Sequence, residues 1–253
     1  MIRTPLAAGN WKMYKTVAET SALLEELKQG LDSISGVEKL VCPPFTALET
    51  AFRMLKGSSI HVGAQNVFWE ENGAFTGEIA PVMLKELCTF VIIGHSERRI
   101  YFGETDETVN RRVKAALAAG LRPIVCVGET LEQNEAGQTD TVVRTQVVNG
   151  LAGLSLEQAK GLVIAYEPVW AIGTGKAATP EGANAVIKDS IRSALAEVWD
   201  RERADSIRIL YGGSIKAGNA ATFFSMPDID GGLVGGASLK AADFIKITEA
   251  ALE

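Results

Sequence analysis

Eight short apolar runs, rich in β-branched residues, recur along the 253-residue chain at 6–9, 38–42, 60–64, 90–93, 122–127, 162–166, 207–211 and 230–234. Several are continuous rather than alternating, the pattern of strands covered on both faces in a parallel sheet. Between them lie stretches with apolar residues three and four apart: Val17, Leu24, Leu27 and Leu31 in 17–31; Val109, Val113, Ala116 and Leu117 in 105–119; Ala183, Val186, Ile187, Ile191, Ala194, Leu195 and Val198 in 180–199. That spacing predicts amphipathic helices. Thr105 before Asp106 and Glu107, and Thr179 before Pro180 and Glu181, are helix starts; Gly120 is a helix stop. Strands alternating with helices imply right-handed parallel crossovers. Eight such units in about 250 residues predict an α/β fold, a closed (β/α)8 barrel forming one domain over residues 1–253. An open doubly wound sheet is the weaker alternative, because no G-x-G-x-x-G follows the first strand.

Composition narrows the function. The net charge of −6 argues against a nucleic-acid partner, which would call for a basic stripe. A small anion remains possible if a lysine and backbone N–H groups hold it. No run approaches the roughly 20 apolar residues of a membrane span, and the N-terminal residues lack the apolar core of a secretory signal. Cys42, Cys88 and Cys126 cannot all pair and form no C-x-x-C, so reduced thiols and a cytoplasmic location are expected.

In such a barrel the working residues stand where strands end. The first strand ends in Gly9-Asn10-Trp11-Lys12, the fourth in Gly94-His95-Ser96-Glu97, the sixth in Glu167-Pro168, and the last two in Gly212-Gly213-Ser214 and Gly235-Gly236-Ala237-Ser238. A lone strand-end glutamate is usually a loop acid. Glu167 differs because it closes an apolar run and Pro168 restricts the exit, so a partly desolvated carboxylate base is expected. His95 alone would be an ordinary satisfied imidazole. The helix start at Ser96-Glu97-Arg98-Arg99 disfavours imidazolium and predicts a neutral ring that donates a hydrogen bond. His61, inside a strand, reads as structural. Lys12 would usually be a solvated lysine and Asn10 a turn residue; beside Trp11 at a strand exit they become an anion counter-charge and a hydrogen-bond donor. The paired glycines after the seventh and eighth strands are simple turn glycines or, taken together, a phosphate cradle.

The motifs GNWKM (9–13), GAQN (63–66), IIGHSERR (92–99), CVGET (126–130), AYEPVWAIGTGK (165–176), YGGS (211–214) and LVGGASL (233–239) together resemble the triosephosphate isomerase family across essentially the whole chain. The resemblance implies a TIM barrel that interconverts dihydroxyacetone phosphate and glyceraldehyde 3-phosphate through an enediolate, with no metal or organic cofactor. It implies Glu167 as base, neutral His95 as electrophile, Lys12 and Asn10 stabilising the developing charge, and Glu97 orienting Lys12 or His95. Trp11 joins Asn10 and Lys12 at the substrate, and Gly173, Ser214, Gly235 and Gly236 bind phosphate. It implies a lid with a hinge at Pro168, Val169 and Trp170, running on through Ala171, Ile172, Gly173, Thr174, Gly175 and Lys176. Closure would press Ile172 and Leu233 around Glu167. It also implies a homodimer in which the long loop 65–81 docks into the partner with Thr76 at its tip; a disordered surface loop is the alternative. Three positions depart from the family pattern, Ala217, Gly218 and Asn134, and are expected to touch only helix starts and surface. A Schiff-base aldolase, a metal-dependent aldose isomerase and a non-catalytic phosphate-binding scaffold are the competing readings. The first lacks a lysine at the sixth strand, and the second lacks a ligand cluster around its two histidines.

Overall fold

A computed structural model describes residues 3–172 and 178–252. The strands are β1 (Leu6–Asn10), β2 (Glu38–Cys42), β3 (Ile60–Ala64), β4 (Phe90–Ile93), β5 (Arg122–Val127), β6 (Val163–Tyr166), β7 (Arg208–Tyr211) and β8 (Gly231–Val234), and they close into one parallel barrel. Closure is direct: Leu6 to Gly9 of β1 pair with Gly231 to Val234 of β8. Five of the eight expected runs contain strands that match them at both ends or extend by one residue, and the last three begin one residue later.

Alternation of side chains across each strand builds two cores. Leu6, Ala8, Leu40, Cys42, Ile124 and Cys126 fill the barrel interior. Their neighbours Ala7, Val41, Val125 and Val127 face outward into the layer beneath the helices. Apolar partners on both sides are the reason the strand sequences do not alternate with polar residues.

The helices are α1 (Val17–Leu31), α2 (Leu48–Met54), α3 (Pro81–Lys85), α4 (Ser96–Phe102), α5 (Asp106–Ala118), α6 (Leu131–Glu135), α7 (Thr139–Gly150), α8 (Pro180–Val186), α9 (Ser193–Val198), α10 (Arg201–Ser206), α11 (Ala220–Phe224) and α12 (Ala241–Glu249). Thr105 caps α5 in a reciprocal box with Thr108, and Gly120 takes φ +76° just beyond its end. In α1 the buried stripe is Thr20, Leu23, Leu24, Leu27 and Leu31; Val17, in the first turn, is exposed.

The stretch 180–199 is not the uniform helix its periodicity predicts. Between α8 and α9 the turn widens to π geometry over Ile187–Arg192. Arg192 explains the need for an offset. Its side chain is buried and bonds Asp228 Oδ1 at 2.7 Å, Asp230 Oδ2 at 3.3 Å and the carbonyls of Ala204 and Ile207. A wider turn re-aims side chains relative to the α-helical period, and here it lets an ionic tie sit on the apolar face.

Because all strands run the same way, their C-terminal ends form one rim, the mouth, and their N-terminal ends form the opposite rim, the floor. His61 stands on β3 toward the floor, with Nε2 3.2 Å from Glu38 Oε1 and its ring edge-on to Phe90. This agrees with a structural part.

Candidate active site

The mouth gathers the residues expected from the strand exits. A cavity of about 470 Å³ is walled by Asn10, Lys12, His95, Ile172, Gly212, Gly213, Ser214, Leu233, Gly235 and Gly236, among others. Lys216 and Lys240 add two cations to Lys12, against the single acid Asp243. An anion is the ligand such walls favour, in a chain that is acidic as a whole. Gly235 precedes a short 3-10 turn over Gly236–Leu239, whose first N–H groups have no partner within the turn.

Lys12 takes φ +51°, a left-handed backbone that costs a non-glycine residue about 1–3 kcal/mol. Two side chains hold it there. Asn10 Oδ1 accepts from the Lys12 N–H at 3.1 Å, and Gln65 Nε2 donates to the Lys12 carbonyl at 2.8 Å. The ammonium lies 2.6 Å from Glu97 Oε1 and turns toward Gly235. Glu97 Oε2 also lies 3.6 Å from His95 Nδ1, so Glu97 stands beside both of the side chains it was expected to orient.

His95 precedes α4 and caps it: the Glu97 N–H donates to His95 Nδ1 at 3.2 Å. An accepting Nδ1 carries no proton, so in the neutral ring the proton sits on Nε2. Nε2 is 3.1 Å from Glu167 Oε1, but off the line of a hydrogen bond, and Oε1 is left without a donor.

Glu167 is buried, and Oε2 accepts from the Ser96 N–H at 2.8 Å. It does not line the 470 Å³ cavity but a smaller one of about 220 Å³ behind it, with Ser96, Cys126, Gly128 and Gln146. The carboxylate is thus drawn back from the anion cradle by one backbone bond. Two glycines allow its tight seating. A Cβ on Gly128 would collide with the Glu167 carbonyl oxygen, and one on Gly212 would lie 2.8 Å from Glu167 Cγ. Gln146 of α7 clamps Gly128 with both ends of its amide, accepting from the N–H at 2.7 Å and donating to the carbonyl at 3.1 Å.

Glu129 was not among the residues expected from the sequence. It is fully buried two residues beyond β5. Its carboxylate accepts from Trp170 Nε1 at 2.7 Å, Tyr166 Oη at 3.2 Å and Asn134 Nδ2 at 3.2 Å, and its carbonyl accepts from the Val169 N–H at 3.0 Å. Burial, then the charge and hydrogen bonding of Glu129, push the Tyr166 phenol well up. Asn134 is therefore not merely a surface departure: it is half-buried and reaches the Glu129 carboxylate that binds Trp170. The signal for Glu129 was available, since it is a charged residue beyond an apolar strand, as Glu167 is. Gln65 and Gln146 carried no such signal.

Trp11 differs from expectation. It is fully buried in the core layer and lines neither mouth cavity. Pro168 leads into a 3-10 turn formed by Val169, Trp170 and Ala171, with Ile172 following. Gly173, Thr174, Gly175 and Lys176, the rest of the expected lid, lie outside the described residues. Thr76 is exposed on a loop without helix or strand, where Phe68 stacks on Trp69 and tilts against Phe75.

Comparison with known proteins agrees with this geometry. The triosephosphate isomerase family model matches residues 5–251. The chain belongs to the triosephosphate isomerase family. It is an isomerase that interconverts dihydroxyacetone phosphate and D-glyceraldehyde 3-phosphate, a step of glycolysis and gluconeogenesis. Relatives named triosephosphate isomerase include that of Carboxydothermus hydrogenoformans, 54% identical over 99% of this chain and 100% of the relative. That of Herpetosiphon aurantiacus is 56% identical over 97% of this chain and 98% of the relative. The Caldanaerobacter subterraneus protein is also 56% identical, over 97% of this chain and 99% of the relative.

Proposed function

We propose that Glu167 is the base of this isomerisation. It removes the proton from the carbon beside the carbonyl and returns it to the neighbouring carbon. His95 Nε2–H polarises the carbonyl oxygen and moves protons between the two oxygens of the enediolate. Lys12 and Asn10 stabilise the charge that develops there, held in place for it before substrate arrives. The phosphate rests on Gly212–Ser214 and Gly235–Gly236. The observation that carries the reading is the Glu167 carboxylate 3.1 Å from His95 Nε2, with that imidazole also on the wall of the lysine-lined cavity.

We infer a motion as well. Glu167 must leave the Ser96 N–H to reach substrate, and the Val169–Ala171 turn that follows it moves as a hinge. Lid closure exchanges the Trp170–Glu129 bond for contacts over the substrate, pressing Ile172 and Leu233 around the base and expelling water. The decisive experiment is a coupled assay with glyceraldehyde 3-phosphate. Glu167→Gln should lower kcat by roughly a thousandfold or more while a phosphate ligand still binds within a few-fold of wild type. Wild-type turnover in that variant would remove Glu167 from its role.

We also propose that the chain acts as a homodimer in the cytoplasm. Met13, Tyr14, Phe45 and Phe102 are exposed by 93%, 59%, 52% and 68%, an apolar face beside Lys12 that solvent disfavours. A groove of about 340 Å³ there, walled by Met13, Phe45, Gly77, Glu97 and Phe102, suits the Thr76 loop of a second copy. Light scattering should give twice the 27.0 kDa chain mass, and a charge at Phe102 should halve it. A monomer with full activity would reject the interface. The cytoplasmic assignment is supported by three buried free cysteines, and fractionation of cells tests it. No helix among the described residues is long and apolar enough to cross a membrane.

A further inference from the structure

A crevice of about 860 Å³ opens at the floor of the barrel, at the end opposite the isomerase site. Five cationic side chains line it, Arg3, Arg122, Lys160, Arg203 and Arg208, against the two carboxylates Glu38 and Glu157. At its back, Arg122 Nη1 and Nη2 lie 2.6 and 3.2 Å from the two oxygens of Glu38, and Arg208 Nη1 lies 2.6 Å from Oε2. Glu38, Arg122 and Arg208 are the first residues of β2, β5 and β7, so the rigid barrel itself fixes their positions. Two guanidinium charges share one carboxylate there, and a net positive charge is left. The Arg122 guanidinium is further locked 4.2 Å over the Phe90 ring, and Gly161 opposite it leaves space that a Cβ would crowd to 3.2 Å from Nε.

The outer cations differ among themselves. Arg3 is neutralised by Asp230 at 2.6 Å. Lys160 and Arg203 have no carboxylate partner among the described residues, although acids outnumber bases by 31 to 25 in the chain. Unpaired cations in front of an over-compensated, half-buried carboxylate form a local field opposite in sign to the protein's net charge. The volume of about 860 Å³ is that of a small-molecule site.

We propose that this floor crevice binds a small diphosphate-bearing anion, gripped by Lys160 and Arg203 in front of the Arg122–Arg208–Glu38 cluster. One phosphate group meets the two outer cations, which are free to close on it. The second reaches the guanidinium donors that Glu38 leaves unengaged, Arg122 Nε and Arg208 Nη2. The chain that forms the outer wall leads into β6 and β7, the strands that carry Glu167 and Gly212–Gly213 at their far ends. The site is spatially separate from the mouth and does not depend on the reading of the mouth residues.

The test is calorimetric titration of inorganic pyrophosphate into the full-length protein at low ionic strength. Three proteins are compared: wild type, Lys160→Gln/Arg203→Gln and Lys12→Ala. The expected result is a pyrophosphate site that the floor double variant weakens by about tenfold or more, as loss of charge-assisted bonds predicts, and that Lys12→Ala leaves intact. The double variant should retain wild-type isomerisation, because both residues are exposed and far from the mouth. An unchanged affinity in the double variant, loss of all binding in Lys12→Ala, or no binding to wild type at millimolar pyrophosphate would each overturn the proposal. A parallel titration with ADP identifies the source of the anion. Equal affinity points to the diphosphate group alone, and tighter binding to a nucleoside diphosphate whose base also fits the crevice.

Discussion

At the scale of single residues, position in the mouth is set by backbone approach more than by side-chain charge. Gly128 shows this best. Its missing Cβ lets the exit of β5 press against the Glu167 carbonyl, and the Gln146 amide holds it there. Gly128→Ala should displace the base, and a shift of about 1 Å costs roughly a hundredfold in rate. The expected signature in steady-state kinetics is a large fall in kcat with little change in KM, since the proposed phosphate cradle follows β7 and β8. A parallel loss of phosphate affinity would show that the cradle, not the base, had moved. Lys12 carries its own strain at the same rim, stabilised by Asn10 and Gln65.

At the scale of elements, two of the segments that depart from α-helical geometry are tied to a buried charge. The 3-10 turn after Pro168 is anchored to Glu129, which binds both the Trp170 ring and the Val169 backbone. The π turn between α8 and α9 is anchored through Arg192 to Asp228 and Asp230. Removing one partner of a buried ionic cluster leaves the rest uncompensated. Arg192→Met should therefore cost about 3–5 kcal/mol of stability, measured by denaturant unfolding. A variant as stable as wild type would mean that the π turn owes nothing to this side chain.

At the scale of the whole molecule, the barrel separates chemistry from cohesion. The residues proposed for catalysis stand at the mouth, and the floor is tied by Glu38 across β2, β3, β5 and β7 through His61, Arg122 and Arg208. Burial alone would raise the Glu38 carboxyl, but hydrogen bonds from His61, Arg122 and Arg208, with the Arg208 charge, hold it far below its ordinary value of 4.5. The folded state therefore binds the Glu38 proton more weakly than the unfolded chain does. The resulting stability is complete above about pH 4.5 and is lost as pH falls below it. Glu38→Gln should lower Tm at pH 7 and flatten the acid limb of Tm between pH 5 and about 3. An acid limb as steep as that of wild type would place the titration elsewhere.

Much of this was legible in the residues. Continuous apolar runs located the strands to within one residue, because burial on both faces of a parallel sheet leaves no room for polar positions. Caps at Thr105 and Thr179 located helix starts, because orphan N–H groups need a local acceptor. Asn10, His95, Glu167 and the two glycine pairs could be named because strand ends of a barrel converge. Other features depended on residues distant in sequence. The burial of Trp11, the retreat of Glu167 onto Ser96, the grip of Glu129 on Trp170 and the four-strand tie at Glu38 each join segments tens of residues apart. The chain alone thus determined the periodicities, and with them which elements form and where polar groups emerge. Only folding decided which partner each of those groups meets, because hydrogen-bond and ionic geometry is fixed by the closure of the barrel and not by neighbours in sequence.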